Sequence, residues 1–402
     1  MQTNFSFTGK LFIPAPDSKN PFAAETSWKK KVRGTEREIP ALKMNFGVRE
    51  TDANMMFVSL YASKDTQQDI LLHTADGNTL SVPWDEREDY VDLAANFVKY
   101  TVDLADPDEK AKYRDAIRSG DFSRTDCTNE EEARLKLAQL YDMRKEFITS
   151  YDFVEYLREV LPSYDGRVTV TGQVKRSYYN NKYTDNFEPK AVYAASSQAK
   201  NKLSMKLDFM YNKDSVEKAK YETDKKIFVN GYVYQWINSV DKNKLMPLQL
   251  IFDASKYDLS NERHRKLLDY KMKYVDIQQE TYQELSWEVR IINGAETVEF
   301  TEDMLTDVQK EQIELGLKTL EDFKPRGNIY GEKIREYRLA DPILKGRFEN
   351  GLVDTEYTDA DLQSLLYSPN KIESASEMDV QVKASATVAT AVEPEIDDDD
   401  LF

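Results

Sequence analysis

The sequence predicts a mainly β protein with helical insertions. It reads as an α+β chain in which one or two small five-stranded barrels precede a mixed region and a disordered acidic tail. Three observations predict this. Short runs of β-branched and aromatic residues, broken by Gly, Pro and Asn/Asp turns, fill 1–106 and 165–260. The stretch between them changes to helical spacing. Residues 371–402 have no apolar periodicity and close on four consecutive aspartates.

In chain order, 5–13 mixes aromatic and branched residues and stops at Pro14-Ala15-Pro16. A polar basic loop follows, then 38–48 and 55–62 alternate as paired strands, and 70–74 and 79–83 flank the turn signal Asp76-Gly77-Asn78. These make an N-terminal barrel over 1–106. Over 107–164 a helical connector is expected: Pro107 suits a first turn, and Thr128 or Asn129 caps a helix opened by Glu130, Glu131 and Glu132. Strands return at 167–176, with Gly172 where a strand can coil sharply, then near 187–195, 202–211, 226–237 and 245–253, with a helical piece at 215–221. Three strands, a helix and two strands is the order of an OB-like barrel, assigned to 165–260. Residues 261–370 read as mixed α/β, with a strand at 287–292, a helix at 302–320 and a short helix at 359–366. Residues 371–402 read as a linker and tip.

The chain is 402 residues long with 40% apolar side chains, enough for more than one core. No run of eighteen apolar residues spans a membrane, and the N-terminus lacks a signal-peptide pattern. With Cys127 as the only cysteine and His73 and His264 far apart, no internal disulfide, structural metal or cofactor is expected, and a reducing cytoplasm (the host's, if a phage encodes the chain) is the expected home. No phosphate loop, dinucleotide fingerprint or serine elbow is present, so no catalytic residue is assigned and the chain is not read as an enzyme. Net charge is −17, yet 1–50 carries +4 and 165–260 carries +5, against −11, −8 and −7 in 51–164, 261–370 and 371–402. Such a map suits a local cationic track on an otherwise repelling body.

The strongest candidate site interleaves cations and rings: Lys175, Arg176, Tyr178, Tyr179, Lys182, Tyr183, Lys190 and Tyr193, around an expected loop at 177–183. Single-stranded DNA exposes phosphates and base faces together, so a sequence-tolerant binder needs charges along a groove and flat rings for stacking. Trp28, Lys29, Lys30, Lys31 and Arg33 form a second set of the same kind. Tyr232, Tyr234 and Trp236 alternate on one strand and are read as core or groove wall.

The end of the chain, Asp397, Asp398, Asp399, Asp400, Leu401 and Phe402, is a solvated acidic hook with an apolar point. The four aspartates and Phe402 resemble the acidic C-terminal tip of bacterial and phage single-stranded DNA-binding proteins, although the Ile-Pro or Leu-Pro common before the final Phe is replaced by Leu401 alone. The resemblance implies a tip that recruits replication, recombination and repair enzymes, joined by a linker to an OB-fold core. Together these readings give a sequence-independent single-stranded DNA-binding protein of phage replication or recombination. Two other classes stay open: a protein-binding adaptor or virion component, and an acidic DNA mimic that inhibits a nuclease.

Overall fold

Buried side chains alternate with half-buried or exposed ones along several strands of the computed structural model, which describes residues 3–32, 35–237, 242–298, 300–324, 329–344 and 356–368. The first half holds β1 (Asn4–Phe12), β2 (Ala23–Val32), β3 (Thr35–Thr51), β4 (Asn54–Ser63), β5 (Ile70–His73), β6 (Thr79–Val82), β7 (Tyr100–Asp103), α1 (Pro107–Ser119), α2 (Glu130–Asp142), β8 (Lys145–Phe147), α3 (Ser150–Val160), β9 (Arg167–Tyr179) and β10 (Lys182–Ala194). The second holds β11 (Lys202–Tyr211), β12 (Val216–Glu217), α4 (Tyr221–Asp224), β13 (Lys226–Ile237), β14 (Lys242–Asp253), α5 (Glu262–Val275), β15 (Tyr282–Val298), α6 (Asp307–Glu314), α7 (Leu320–Phe323), β16 (Ile329–Ile343), β17 (Glu356–Tyr357) and α8 (Asp359–Leu365). The chain is therefore mainly β with several helices, as expected for a mixed α+β class.

Strand pairing follows two circuits. In the first, β1 pairs antiparallel with β3 and β9, β3 with β4, and β9 with β10. β10 returns beside β4, where Ser59 Oγ donates to Asn186 Oδ1 at 2.6 Å. In the second, β11 pairs antiparallel with β13 and β15, β13 with β14, and β15 with β16, while β14 meets β16 in parallel at Ile251 and Arg338. Both circuits run first, second, third, fifth, fourth strand and back to the first, and in both a helix (α3 or α5) precedes the fourth strand. β1 also pairs antiparallel with β11, which joins the circuits. One apolar core runs through them, with Phe7, Phe46, Phe187, Phe209, Phe252 and Trp287 fully buried. Burying each such side chain contributes roughly 1.5–3 kcal/mol.

Helix ends follow local chemistry. Asp106 caps α1 through the amides of Asp108 and Glu109, and Gly120 ends it at φ 72°. Asn129, not Thr128, caps α2 through Glu132. α3 buries Phe153, Val154 and Leu157.

The grouping of strands departs from the sequence expectation. The strands of 165–260 do not close on one another: β9 and β10 complete the circuit begun by β1, β3 and β4, while β11, β13 and β14 need β15 and β16 from the region read as mixed. Adjacency in sequence suggested one unit, but the chain crosses between circuits at 195–201, where Arg167 Nη1 holds the Ser196 carbonyl at 3.4 Å. β5 and β6 form the expected hairpin, with Gly77 at φ 88°, but as a separate two-stranded sheet. The basic loop expected before 38 is largely β2. Lys29 and Lys31 lie across from the acids Glu38 and Glu36 of β3, pairs that favour this register, while Lys30 lies across from Arg37 and both of these cations pair with Asp65. The helix expected over 302–320 is broken into short pieces, and the strand at 287–292 runs on through Gly294, which pairs with Asn54.

Candidate nucleic-acid interface

The expected loop at 177–183 is instead the tip of a hairpin. β9 and β10 continue in register to Tyr179 and Lys182 and turn on Asn180 and Asn181, at φ 47° and 60°. Two successive left-handed residues are what a tight two-residue hairpin requires, and asparagine tolerates them. The turn sets Tyr178 directly across from Tyr183, with ring centroids 4.8 Å apart. The Tyr178 hydroxyl donates to Asn181 Oδ1 at 3.0 Å, which fixes the ring over the turn. Burial, then the neighbouring Tyr178, raises the Tyr183 hydroxyl above its usual range, and Tyr367 and Tyr232 stand near enough to add to the effect.

Facing this tip is the far end of the β13–β14 hairpin. Between them lies an open groove of about 420 Å³, lined on one side by Gln173, Lys175, Arg176 and Tyr178 and on the other by Tyr234, Gln235 and Trp236, with Asn243 and Tyr367 at its edge. The walls are tied together where the Arg176 amide donates to Gln235 Oε1 at 2.8 Å. Trp236 is 45% exposed on the groove wall, whereas Tyr179, 49% exposed, stands at the hairpin tip and does not line the groove.

The cations have different jobs. Arg176 is largely covered: its Nη1 lies 2.7 Å from both oxygens of Asp185, its guanidinium sits 5.3 Å from the centre of the Tyr183 ring, and the Tyr337 hydroxyl donates to Asp185 at 2.8 Å. It lines the groove, but its charge is paired with Asp185 and it positions the aromatic tip. Lys175 pairs with Glu188 at 2.6 Å but is 58% exposed, an arrangement weak enough for a phosphate to compete with. Lys182 and Lys242 are exposed, Lys182 at the hairpin tip and Lys242 across from Ile237 at the groove wall. Lys244 donates to the Ser364 carbonyl at 2.9 Å.

The remaining sequence candidates lie elsewhere. Lys190 and Tyr193 are in the far half of β10 and do not line the groove; Lys190 stands 4.4 Å from the centre of the Tyr100 ring, and burial lowers its ammonium below the usual lysine range. Trp28, Lys29, Lys30 and Lys31 are on β2, at an end of the strand order. There Trp28 Nε1 donates to Ser63 at 3.0 Å, Lys29 pairs with Glu36 at 3.4 Å and Lys30 with Asp65 at 2.9 Å, so the basic run is largely neutralised by its own neighbours. Arg33 and the tip residues 397–402 lie outside the described residues. Among the described residues no group of His, Cys, Asp or Glu stands where it can share a metal ion, and no helix is long and apolar enough to cross a membrane.

Sequence reasoning left Tyr234 and Trp236 as core or groove wall, and the fold makes Trp236 an exposed wall. Gln235 and Tyr367 were missed. Tyr367 carries no local signal; it reaches the groove only because its amide bonds to the Leu245 carbonyl at 2.9 Å. The chain matches no protein-family model, no curated protein and no solved structure.

Proposed function

We propose that this chain binds single-stranded DNA without reading its sequence, in replication or recombination in the cytoplasm, on two OB-like units that meet at the groove. The observation that carries the reading is that Tyr178 and Lys175 face Trp236 across one open groove, with the exposed lysines Lys182 and Lys242 at the ends of the two hairpins that flank it. The strand order and the position of the helix in both circuits support OB-like units. The groove then lies between the fourth–fifth strand hairpin of one unit and the second–third strand hairpin of the other, elements that such folds use for oligonucleotides. Base–aromatic stacking contributes about 1–3 kcal/mol per base and tolerates any sequence, since every base has a flat face. The acidic segment 397–402 is proposed to recruit partner enzymes, on its resemblance to the tips of single-stranded DNA-binding proteins.

A fluorescence titration with oligo(dT) at several salt concentrations tests this. Binding is expected to quench tryptophan emission through Trp236. Contacts from Lys175, Lys182 and Lys242 are expected to give a log–log salt slope of about −2, at roughly −0.7 per phosphate on single strands. An absence of binding at low salt favours the adaptor or DNA-mimic classes instead.

A further inference from the structure

Beyond the groove, the second circuit carries a covered aromatic face. Tyr232 and Tyr234 on β13 and Tyr282 on β15 pack with Met210 and Leu245 against Tyr357, Leu362, Leu365 and Leu366, which belong to the β17–α8 segment. Tyr232 and Tyr282 stand 6.1 Å apart, edge to face. Val233, between the two β13 tyrosines, belongs to the main core, so these rings point to the opposite, outer side of the strand. Tyr234 is shared: it packs under α8 and also lines the groove.

The covering segment is lightly held. β17 pairs with β15 over two residues, Tyr282 with Tyr357 and Gln283 with Glu356. A single bridge joins Leu245 to Leu366. Leu362 is its one fully buried apolar residue among those described, and Thr358, Asp359, Ala360, Asp361, Gln363 and Ser364 are all exposed. A helix of two turns has no stability of its own in water, so α8 persists only through this seat. Its polar ties among the described residues are the Lys244 ammonium on the Ser364 carbonyl at 2.9 Å, the Tyr367 amide on the Leu245 carbonyl at 2.9 Å, and the Tyr357 hydroxyl, which donates to Glu284 at 3.3 Å and also bonds with the Tyr234 hydroxyl.

We infer that residues 356–367 form a displaceable strap over a second single-stranded nucleic-acid face, and that lifting it extends the groove's aromatic track from Tyr234 onto Tyr232 and Tyr282. Release also returns the Lys244 ammonium to the edge of that track. The ligand is a longer single strand, whose additional bases replace Leu362, Leu365 and Leu366 against the tyrosines. This inference rests on the function proposed above.

The test compares three proteins by oligo(dT) titration over a series of lengths: the full chain, a chain ending at 368, and one ending at 355. Truncation at 368 keeps the strap and removes the acidic segment, so it is the control for charge. The chain ending at 355 is expected to bind long oligo(dT) at least about tenfold more tightly than the chain ending at 368, which reaches the same larger site only after displacing its strap. A second variant guards against misfolding of the shortest chain. Leu245→Cys with Leu366→Cys, in the chain ending at 368, places a disulfide across the bridge pair. Oxidised, it is expected to keep the small site; reduced, it is expected to show the larger one on long oligonucleotides. Equal site sizes and affinities in the oxidised and reduced forms overturn the strap while leaving groove binding intact. Failure of the full chain to bind oligo(dT) at any salt overturns both.

Discussion

Replacing Arg176 with alanine is expected to destabilise the protein by about 3–5 kcal/mol, seen as a lower urea midpoint with an unchanged slope. The expectation follows from what remains behind. Arg176 and Asp185 have side chains only 11% and 9% exposed, and Asp185 takes both its charge-assisted bonds from the one guanidinium. Without it, the carboxylate is left in the interior with the Tyr337 hydroxyl as its remaining donor among these contacts. Removing one partner of a buried pair costs more than the pair contributes, because the survivor stays desolvated and uncompensated. Replacing both together, Arg176→Met with Asp185→Leu, is therefore expected to recover most of the loss. A loss under about 1 kcal/mol in the single variant means that water reaches Asp185 and that the pair does not set the hairpin.

The largest effect on binding is expected at Trp236 and Tyr178. Each substitution to alanine removes one stacking face and is expected to weaken oligo(dT) binding about 5- to 150-fold, at roughly 1–3 kcal/mol per stacked base. Trp236 is 45% exposed, so its removal leaves little cavity and stability is expected to hold. Tyr178 contributes also through its contact with Tyr183, so that variant is expected to lose somewhat more. Lys175→Ala is expected to act differently, with a smaller loss of affinity and a salt slope shallower by about 0.7. Unchanged affinity in both ring variants, with circular dichroism and midpoints preserved, removes the groove from the binding site.

Local chemistry was readable in the chain, and long-range pairing was not. Pro107 after Asp106, Asn129 before three glutamates, and Asp76-Gly77 between apolar runs each act within four residues of themselves, and the structure places two helix starts and a hairpin there. The separate circuits depend on β1 meeting β9 and β11, partners that begin more than 150 residues away, and nothing in the composition of β1 names them. Asn180-Asn181 read as loop because asparagine is polar and breaks strands; its tolerance of positive φ makes the tight turn that aligns Tyr178 with Tyr183. Arg176 read as a phosphate ligand by residue type, but its role depends on Asp185, nine residues on, which the hairpin register brings opposite. Tyr367 had no signal at all, since its place in the groove follows from the seating of α8 on β14.

The most direct test of the groove is photocrosslinking. The intact protein, bound to oligo(dT) carrying iodouracil, is irradiated, and the modified peptides are mapped by mass spectrometry. Adducts are expected on Trp236 and Tyr178, with Tyr367 next, and are expected to fade as salt rises. Adducts confined to β2 or to the β5–β6 hairpin, with Trp236 and Tyr178 unmodified, would contradict the assignment of the strand to this groove.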